Sequence, residues 1–231
     1  MSATRGRVRI GISGWRYAPW RGVFYPQGLA QRRELEYASR CFHSIEINGT
    51  FYSLQRPESF RLWRDETPDG FVFAVKGSRF LTHMKRLKDV DTPLGSFFAQ
   101  GLLALGPKLG PILWQLPPNF RFDAERLRGF LERLPKDTTQ AVKLARRRDA
   151  SLMKGRSVLA SKQDHSLRHA LEIRHESFLV PEFAALLREF NVALVVADTA
   201  RKFPFAGDVT ADFVYVRLHG DEELYASGYG D

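Results

Sequence analysis

Short runs rich in β-branched and aromatic residues alternate with segments of helical periodicity along the chain, and no other feature restricts the fold as much. The runs are Val8 to Trp15, Ser44 to Phe51, Phe71 to Gly77, Pro111 to Leu116, His169 to His175, Val192 to Asp198 and Phe213 to His219. Between them, Leu, Phe and Ala recur at helical spacing in Arg33 to Cys41, Pro57 to Glu66, Leu94 to Leu105, Asp123 to Leu134 and Pro181 to Phe190. Pro57 and Pro181 suit the first turn of a helix, where a missing N–H costs nothing. Strand then helix, repeated, predicts a parallel sheet, because parallel neighbours need a long crossover between them. No Pro, Gly or Ser linker divides the chain and no short repeat recurs, so residues 1–231 read as a single domain. Residues 137–168, from Asp137 to Arg168, exceed an ordinary connection and read as a basic insertion with a short helix.

Composition narrows the class. A chain that is 44% hydrophobic and 13% aromatic supplies a sizeable core. Met1 to Arg7 carries basic charge with no apolar run behind it, and no apolar stretch of about eighteen residues occurs, so neither an export signal nor a membrane partner is expected. Cys41 is the single cysteine, which excludes an intrachain disulfide and a cysteine-rich zinc site and makes a reducing cytoplasm the expected location. The net charge of +9 biases the protein towards anions of any kind. Its strongest cluster, Arg146, Arg147 and Arg148 followed by Lys154, Arg156 and Lys162, lies in the polar insertion, where such runs are usually solvated.

Polar residues inside the strands separate an open doubly wound sheet from a closed barrel. Alternation places Glu46 with Asn48, Ala74 with Lys76, Leu113 with Gln115, Glu172 with Arg174, and Arg217 with His219 on one face, all late in their strands. A barrel gathers all of these at the mouth formed by its carboxyl ends, whereas an open sheet collects only a few at a switch point. The predicted fold is therefore α/β, a closed (β/α) barrel of which seven strands are visible.

These segments also carry a pattern. The stretches GISGWRYAPWRGVFYP (Gly11 to Pro26), SIEINGTFYSL (Ser44 to Leu54), FVFAVKGSRFLTH (Phe71 to His83), LGPILWQLPPNF (Leu109 to Phe120), LEIRHESF (Leu171 to Phe178) and FVYVRLHG (Phe213 to Gly220) follow one another in an order that resembles the YecE-like family of TIM-barrel proteins, domain of unknown function seventy-two. The resemblance spans nearly the whole chain except the basic insertion. It implies an α/β fold, a TIM-like (β/α) barrel whose eighth strand is missing or shortened here, and no established reaction; either the chain is shortened, or the gap is closed by a partner or by Glu222 to Asp231, which is short and glycine-rich for that task. Two departures from the family pattern are the length of the insertion and a chain that stops soon after the seventh strand.

The segment SIEINGTFY poses the functional question, because Glu46 is a carboxylate between isoleucines and is costly to bury without partners. In a barrel it shares a mouth with Lys76, Glu172, Arg174 and Arg217, so two carboxylates face three cations and one positive charge remains for an anion. The leading expectation is an enzyme, a hydrolase or lyase, acting on a small anionic, phosphate-bearing substrate. Lys76, Arg174 and Arg217 would bind it, with Asn48, Tyr52, Gln115 and Trp15 around it. Glu46 or Glu172 would act as general acid or base, and His219 or His83 as the second proton carrier. The same charges could instead form a purely structural network. No cofactor is expected: the dinucleotide, P-loop and kinase signatures are absent, and Ser13 lacks a G-x-S-x-G setting. A divalent metal is disfavoured by the three cations and by the lack of tightly spaced ligands. Two competing classes are a nucleic-acid-binding protein using Arg146, Arg147 and Arg148, and a shortened interaction protein using open sheet edges.

Overall fold

In the computed structural model, which describes residues 6–223, 228 and 229, the chain forms seven parallel strands in sequential order. They are β1 (Gly11–Ser13), β2 (Ser44–Ile47), β3 (Val72–Lys76), β4 (Leu109–Gln115), β5 (His169–Glu172), β6 (Ala193–Asp198) and β7 (Tyr215–Leu218). Each pairs with the next in parallel register, and among the described residues no ladder joins β7 back to β1. The result is a curled TIM-like half-barrel. Of the tail expected to be too short to close the gap, residues 224–227, 230 and 231 lie outside the described residues, as do residues 1–5.

Helices cover the sheet: α1 (Glu34–Cys41), α2 (Gly49–Tyr52), α3 (Pro57–Glu66), α4 (Asp91–Ala99), α5 (Ala124–Leu131), α6 (Thr138–Ala145), α7 (Ala150–Met153) and α8 (Pro181–Glu189). Pro57 and Pro181 occupy first turns, and Asp123, Asp137 and Asp149 cap α5, α6 and α7 by accepting backbone N–H groups. The helix expected over Leu94 to Leu105 is broken, because Gly101 takes φ +119° where a Cβ would stand 2.7 Å from Pro57 Cα. The chain continues instead as a 3₁₀ segment, Leu102–Lys108. The segment read as an insertion holds two helices, α6 and α7, and α6 packs on α4 with Ala141, Leu144 and Ala145 buried.

Two apolar layers result. The larger lies between sheet and helices and includes Ile45, Phe73, Phe97, Phe98, Trp114, Phe130 and Leu187. A smaller one, Leu113, Ala170, Ala193, Val195 and Ala197, fills the lumen. Three alanines in this layer leave room above it for long polar side chains. On the outer face of β7, Val214, Val216 and Leu218 are exposed. Among the described residues no helix is long and apolar enough to cross a membrane.

Candidate functional site

Directly above the alanine-lined floor the barrel holds a charged layer. Glu46 Oε1 accepts from Arg217 Nη2 at 3.0 Å and from the Ser13 hydroxyl at 3.2 Å, and its Oε2 accepts from the Tyr215 hydroxyl at 2.8 Å. Arg217 turns its other terminal nitrogen to Glu172 Oε2 at 2.5 Å, so one guanidinium bridges two carboxylates. Arg174 Nε donates to Glu172 Oε1 at 2.9 Å and its Nη2 to Gln115 Oε1 at 3.1 Å. Asn48 joins through the Ser13 hydroxyl at 2.8 Å. Glu46 and Glu172 are 5% and 1% exposed, so this network answers the cost of burying them.

The register makes this layer possible. Ser13 is paired with Glu46, Gln115 with Glu172, and Ala197 with Arg217, which sets these side chains at one height on the inner face. Burial opposes charge on Glu172, yet Arg217 and Arg174 outweigh it and hold the carboxyl below the usual range. The Tyr215 phenol is pushed well up by burial and by the adjacent Glu46 carboxylate, so it stays a donor. Burial works against the Arg217 charge, but Glu46 and Glu172 more than restore it.

Above the network opens a cavity of about 380 Å³ lined by Phe51, Tyr52, Lys76, Arg79, His83, Met84, Gln115 and Arg174. Three of these are cations and none is a carboxylate. Lys76 ends β3, where its carbonyl accepts from the Thr50 hydroxyl at 2.6 Å, and its amine stands 4.6 Å from the centre of the Phe51 ring. Gly77 follows because a Cβ there would lie 2.2 Å from the Trp114 ring. Arg79 lies over Tyr52 at 6.0 Å and Arg174 over Phe203 at 4.5 Å. His83, on the π-helical turn Phe80–Met84, shares a hydrogen bond between its Nδ1 and the Thr82 hydroxyl at 2.9 Å and meets Phe51 edge-on.

Burial pulls the Lys76 amine down to about 8, with Arg217 adding to the shift and Glu46 and Glu172 opposing it. Burial also lowers His83, followed by repulsion from Lys76, Arg174 and Arg79. These cations sit close enough to feel one another, and an entering anion would relieve that repulsion.

Of the residues singled out in the sequence, Lys76, Gln115, Arg174, His83 and the rim residue Tyr52 line the cavity, while Glu46, Glu172 and Arg217 form the layer beneath. His219 stands near Arg217, and burial with that charge pulls its imidazole down to about 4. Trp15 lies in core packing, 8% exposed and edge-on to Trp63, with its carbonyl accepting from the Tyr25 hydroxyl. Arg146, Arg147 and Arg148 close α6 in the helical layer; Arg147 lines a separate hollow of about 270 Å³ whose walls include Asp91 and Glu132. Among the described residues no three His, Cys, Asp or Glu side chains converge so as to hold a metal ion. The sequence reading missed Arg79 and Phe51 in the mouth, Phe203 against Arg174, and Tyr215 in the network. For Tyr215 the signal was present, since it shares alternation with Arg217 and His219.

Comparison with known proteins places this geometry in a family. A family profile described as protein of unknown function DUF72 matches residues 9–231. The UPF0759 protein YecE of Escherichia coli strain K12 is 29% identical over 138 residues, covering 59% of this chain and 48% of that protein. The UPF0759 protein YunF of Bacillus subtilis strain 168 is 29% identical over 118 residues, covering 49% of this chain and 41% of its own length. The chain thus spans about half the length, or less, of the curated relatives it matches. Among solved structures, a DUF72 family protein from Thermotoga maritima superposes with a TM-score of 0.69 at 26% identity, over 96% of this chain and 78% of the other. One from Enterococcus faecalis gives 0.60 at 17% identity over 92% and 70%, a likeness of fold alone.

Proposed function

The chain belongs to the family described as protein of unknown function DUF72, and from that premise we propose that it is an enzyme acting on a small phosphate-bearing substrate held in the mouth of its barrel. One observation carries this reading: the cavity above the ion network is lined by Lys76, Arg79 and Arg174 and, among the described residues, by no carboxylate. The two carboxylates beneath it are engaged by Arg217, Arg174, Tyr215 and Ser13. Counting Lys76, Arg79, Arg174 and Arg217 against Glu46 and Glu172, four cations meet two anions, and a dianionic phosphate restores balance. The volume suits a small metabolite.

Within this reading Arg79 and Arg174 grip the phosphate, Lys76 adds charge where negative charge develops, and Gln115 and Tyr52 orient the remainder of the substrate. His83 is the proton carrier nearest to hand, since it lines the cavity and burial keeps its imidazole neutral near pH 7. Glu46 and Glu172, held by hydrogen bonds to Arg217, act by fixing the cations, with Glu172 below Arg174 the nearer to the substrate. Hydrolysis or lyase cleavage of a phosphate or sugar-phosphate compound is the reaction class that fits. Nucleic-acid binding through Arg146 to Arg148 has less support, because the hollow beside Arg147 mixes its cations with Asp91 and Glu132. Thermal unfolding with inorganic phosphate and a set of sugar phosphates tests the reading: stabilisation that disappears in Arg79→Ala supports it, and no stabilisation by any of them overturns it.

A further inference from the structure

Lys76 differs from the neighbouring cations Arg174 and Arg217 in its partners. Arg217 is paired with Glu46 and Glu172, and Arg174 with Glu172, whereas among the described residues no salt bridge or hydrogen bond reaches the Lys76 amine. The amine stands on the face of Phe51 at the wall of the cavity, with His83 lining the same space. Its backbone is fixed on both sides, by the Thr50 hydroxyl on its carbonyl and by the Gly77 N–H donating to Leu113 O at 2.7 Å. A lysine held on an apolar platform, among other cations and with no carboxylate bonded to its amine, is in the setting that turns an ammonium group into a nucleophile.

We propose that Lys76 condenses with the carbonyl carbon of an aldehyde or ketone that also carries a phosphate group, forming an imine in the mouth of the barrel. The inference rests on the reading of the mouth as an anion site, and it adds the second functional group that the substrate must bear. The Nζ lone pair forms a C–N bond as the C=O π pair moves to oxygen. The oxygen then leaves as water, breaking the C–O bond, and both amine protons end on that water. Amine and carbonyl give imine and water, with no oxidant or reductant consumed. His83 carries the protons from nitrogen to oxygen, while Arg79 and Arg174 hold the phosphate. Once protonated, the imine draws electrons from an adjacent C–C or C–H bond, which is lyase chemistry. The lowered Lys76 pKa, about 8 through burial and the nearby Arg217, leaves a useful fraction of neutral amine at physiological pH.

The test is reductive trapping of the whole chain near neutral pH. Pyridoxal 5′-phosphate, an aldehyde bearing a phosphate, is added, the adducts are reduced with borohydride and the modified lysines are mapped by peptide mass, with and without inorganic phosphate. Phosphate binding is measured separately by thermal unfolding. Lys76 is expected to react at least roughly tenfold faster than any other lysine, and phosphate to slow it. The variant Lys76→Arg should lose the fast adduct. Labelling spread over exposed lysines, with Lys76 among the slow ones, overturns the proposal. If phosphate stabilises the protein but Lys76 does not react, the imine fails and the anion site stands. Absence of both phosphate stabilisation and phosphate protection overturns the anion site itself.

Discussion

Arg217 Nη2 on β7 lies 3.0 Å from Glu46 Oε1 on β2, joining residues 171 positions apart. In a sheet whose first and last strands do not pair among the described residues, this contact and the Tyr215 hydrogen bond to the same carboxylate draw the two flanks together across the lumen. The charged layer is therefore a structural tie as well as the foundation of the mouth.

Removing that tie leaves the buried Glu46 with no ion pair and the buried Glu172 with Arg174 alone. The variant Arg217→Met should lose about 3 to 5 kcal/mol of stability, the usual result of breaking a buried pair from one side. Tyr215→Phe, which leaves Arg217 and Ser13 on Glu46, should lose only about 1 to 2 kcal/mol. Urea unfolding of the variants decides. Equal small losses in both would show that the layer does not hold the flanks together.

Gly77 separates Lys76 from the loop that carries Arg79. A Cβ there would sit 2.2 Å from the fully buried Trp114 ring, so Gly77→Ala must displace either the ring or the end of β3. A cost of about 1 to 3 kcal/mol is expected, together with weaker phosphate binding as Lys76 moves. Unchanged melting and unchanged phosphate affinity would contradict this packing.

Acid should destabilise the fold in two successive windows. His169 is buried, with Nδ1 facing the Trp114 indole N–H at 3.2 Å and Nε2 facing Pro135 O at 2.8 Å. Because an indole only donates, Nδ1 must be unprotonated, and burial pulls this histidine down to about 4 despite the Pro135 carbonyl. The unfolded chain binds the proton from about pH 6.5 downward, so stability is complete above that value and falls by roughly 3 kcal/mol on the way to pH 4. Glu172, whose folded pKa is depressed, adds a second loss at still lower pH as its carboxyl protonates. Stability measured between pH 7 and 4 should decline in the wild type and decline less steeply in His169→Gln. Identical slopes would contradict the assignment.

Much of this architecture was legible because the strands obey a period of two. In FVYVRLHG, Val214, Val216 and Leu218 alternate with Tyr215, Arg217 and His219, and the polar set faces the lumen. Less legible was which cation meets which carboxylate. Lys76, Arg174 and Arg217 were all expected near Glu46, yet Arg217 alone of the three touches it, since curvature brings β7 towards β2 while Arg174 stays with Glu172 on its own strand segment. Tyr215 escaped notice because an aromatic residue in an alternating strand reads as packing. Arg79 did so because it lies beyond the strand end, where periodicity gives no direction. Trp15 illustrates the opposite difficulty: its place just after β1 suggested the mouth, and only the tertiary contact with Trp63 turns it into the core. In the 137–168 segment the density of charge hid the helical period of Ala141, Leu144 and Ala145.

The proposed anion site in the mouth of the barrel is built on Lys76, Arg79 and Arg174. Calorimetric titration of inorganic phosphate and of a sugar phosphate into the wild type, Arg79→Ala and Lys76→Met tests it most directly. One site per chain is expected in the wild type, weakened about tenfold or more by either substitution, consistent with the loss of one charge-assisted contact of about 1.5 to 3 kcal/mol. Binding of equal strength in all three proteins, or no binding to a wild type that unfolds cooperatively, would contradict it.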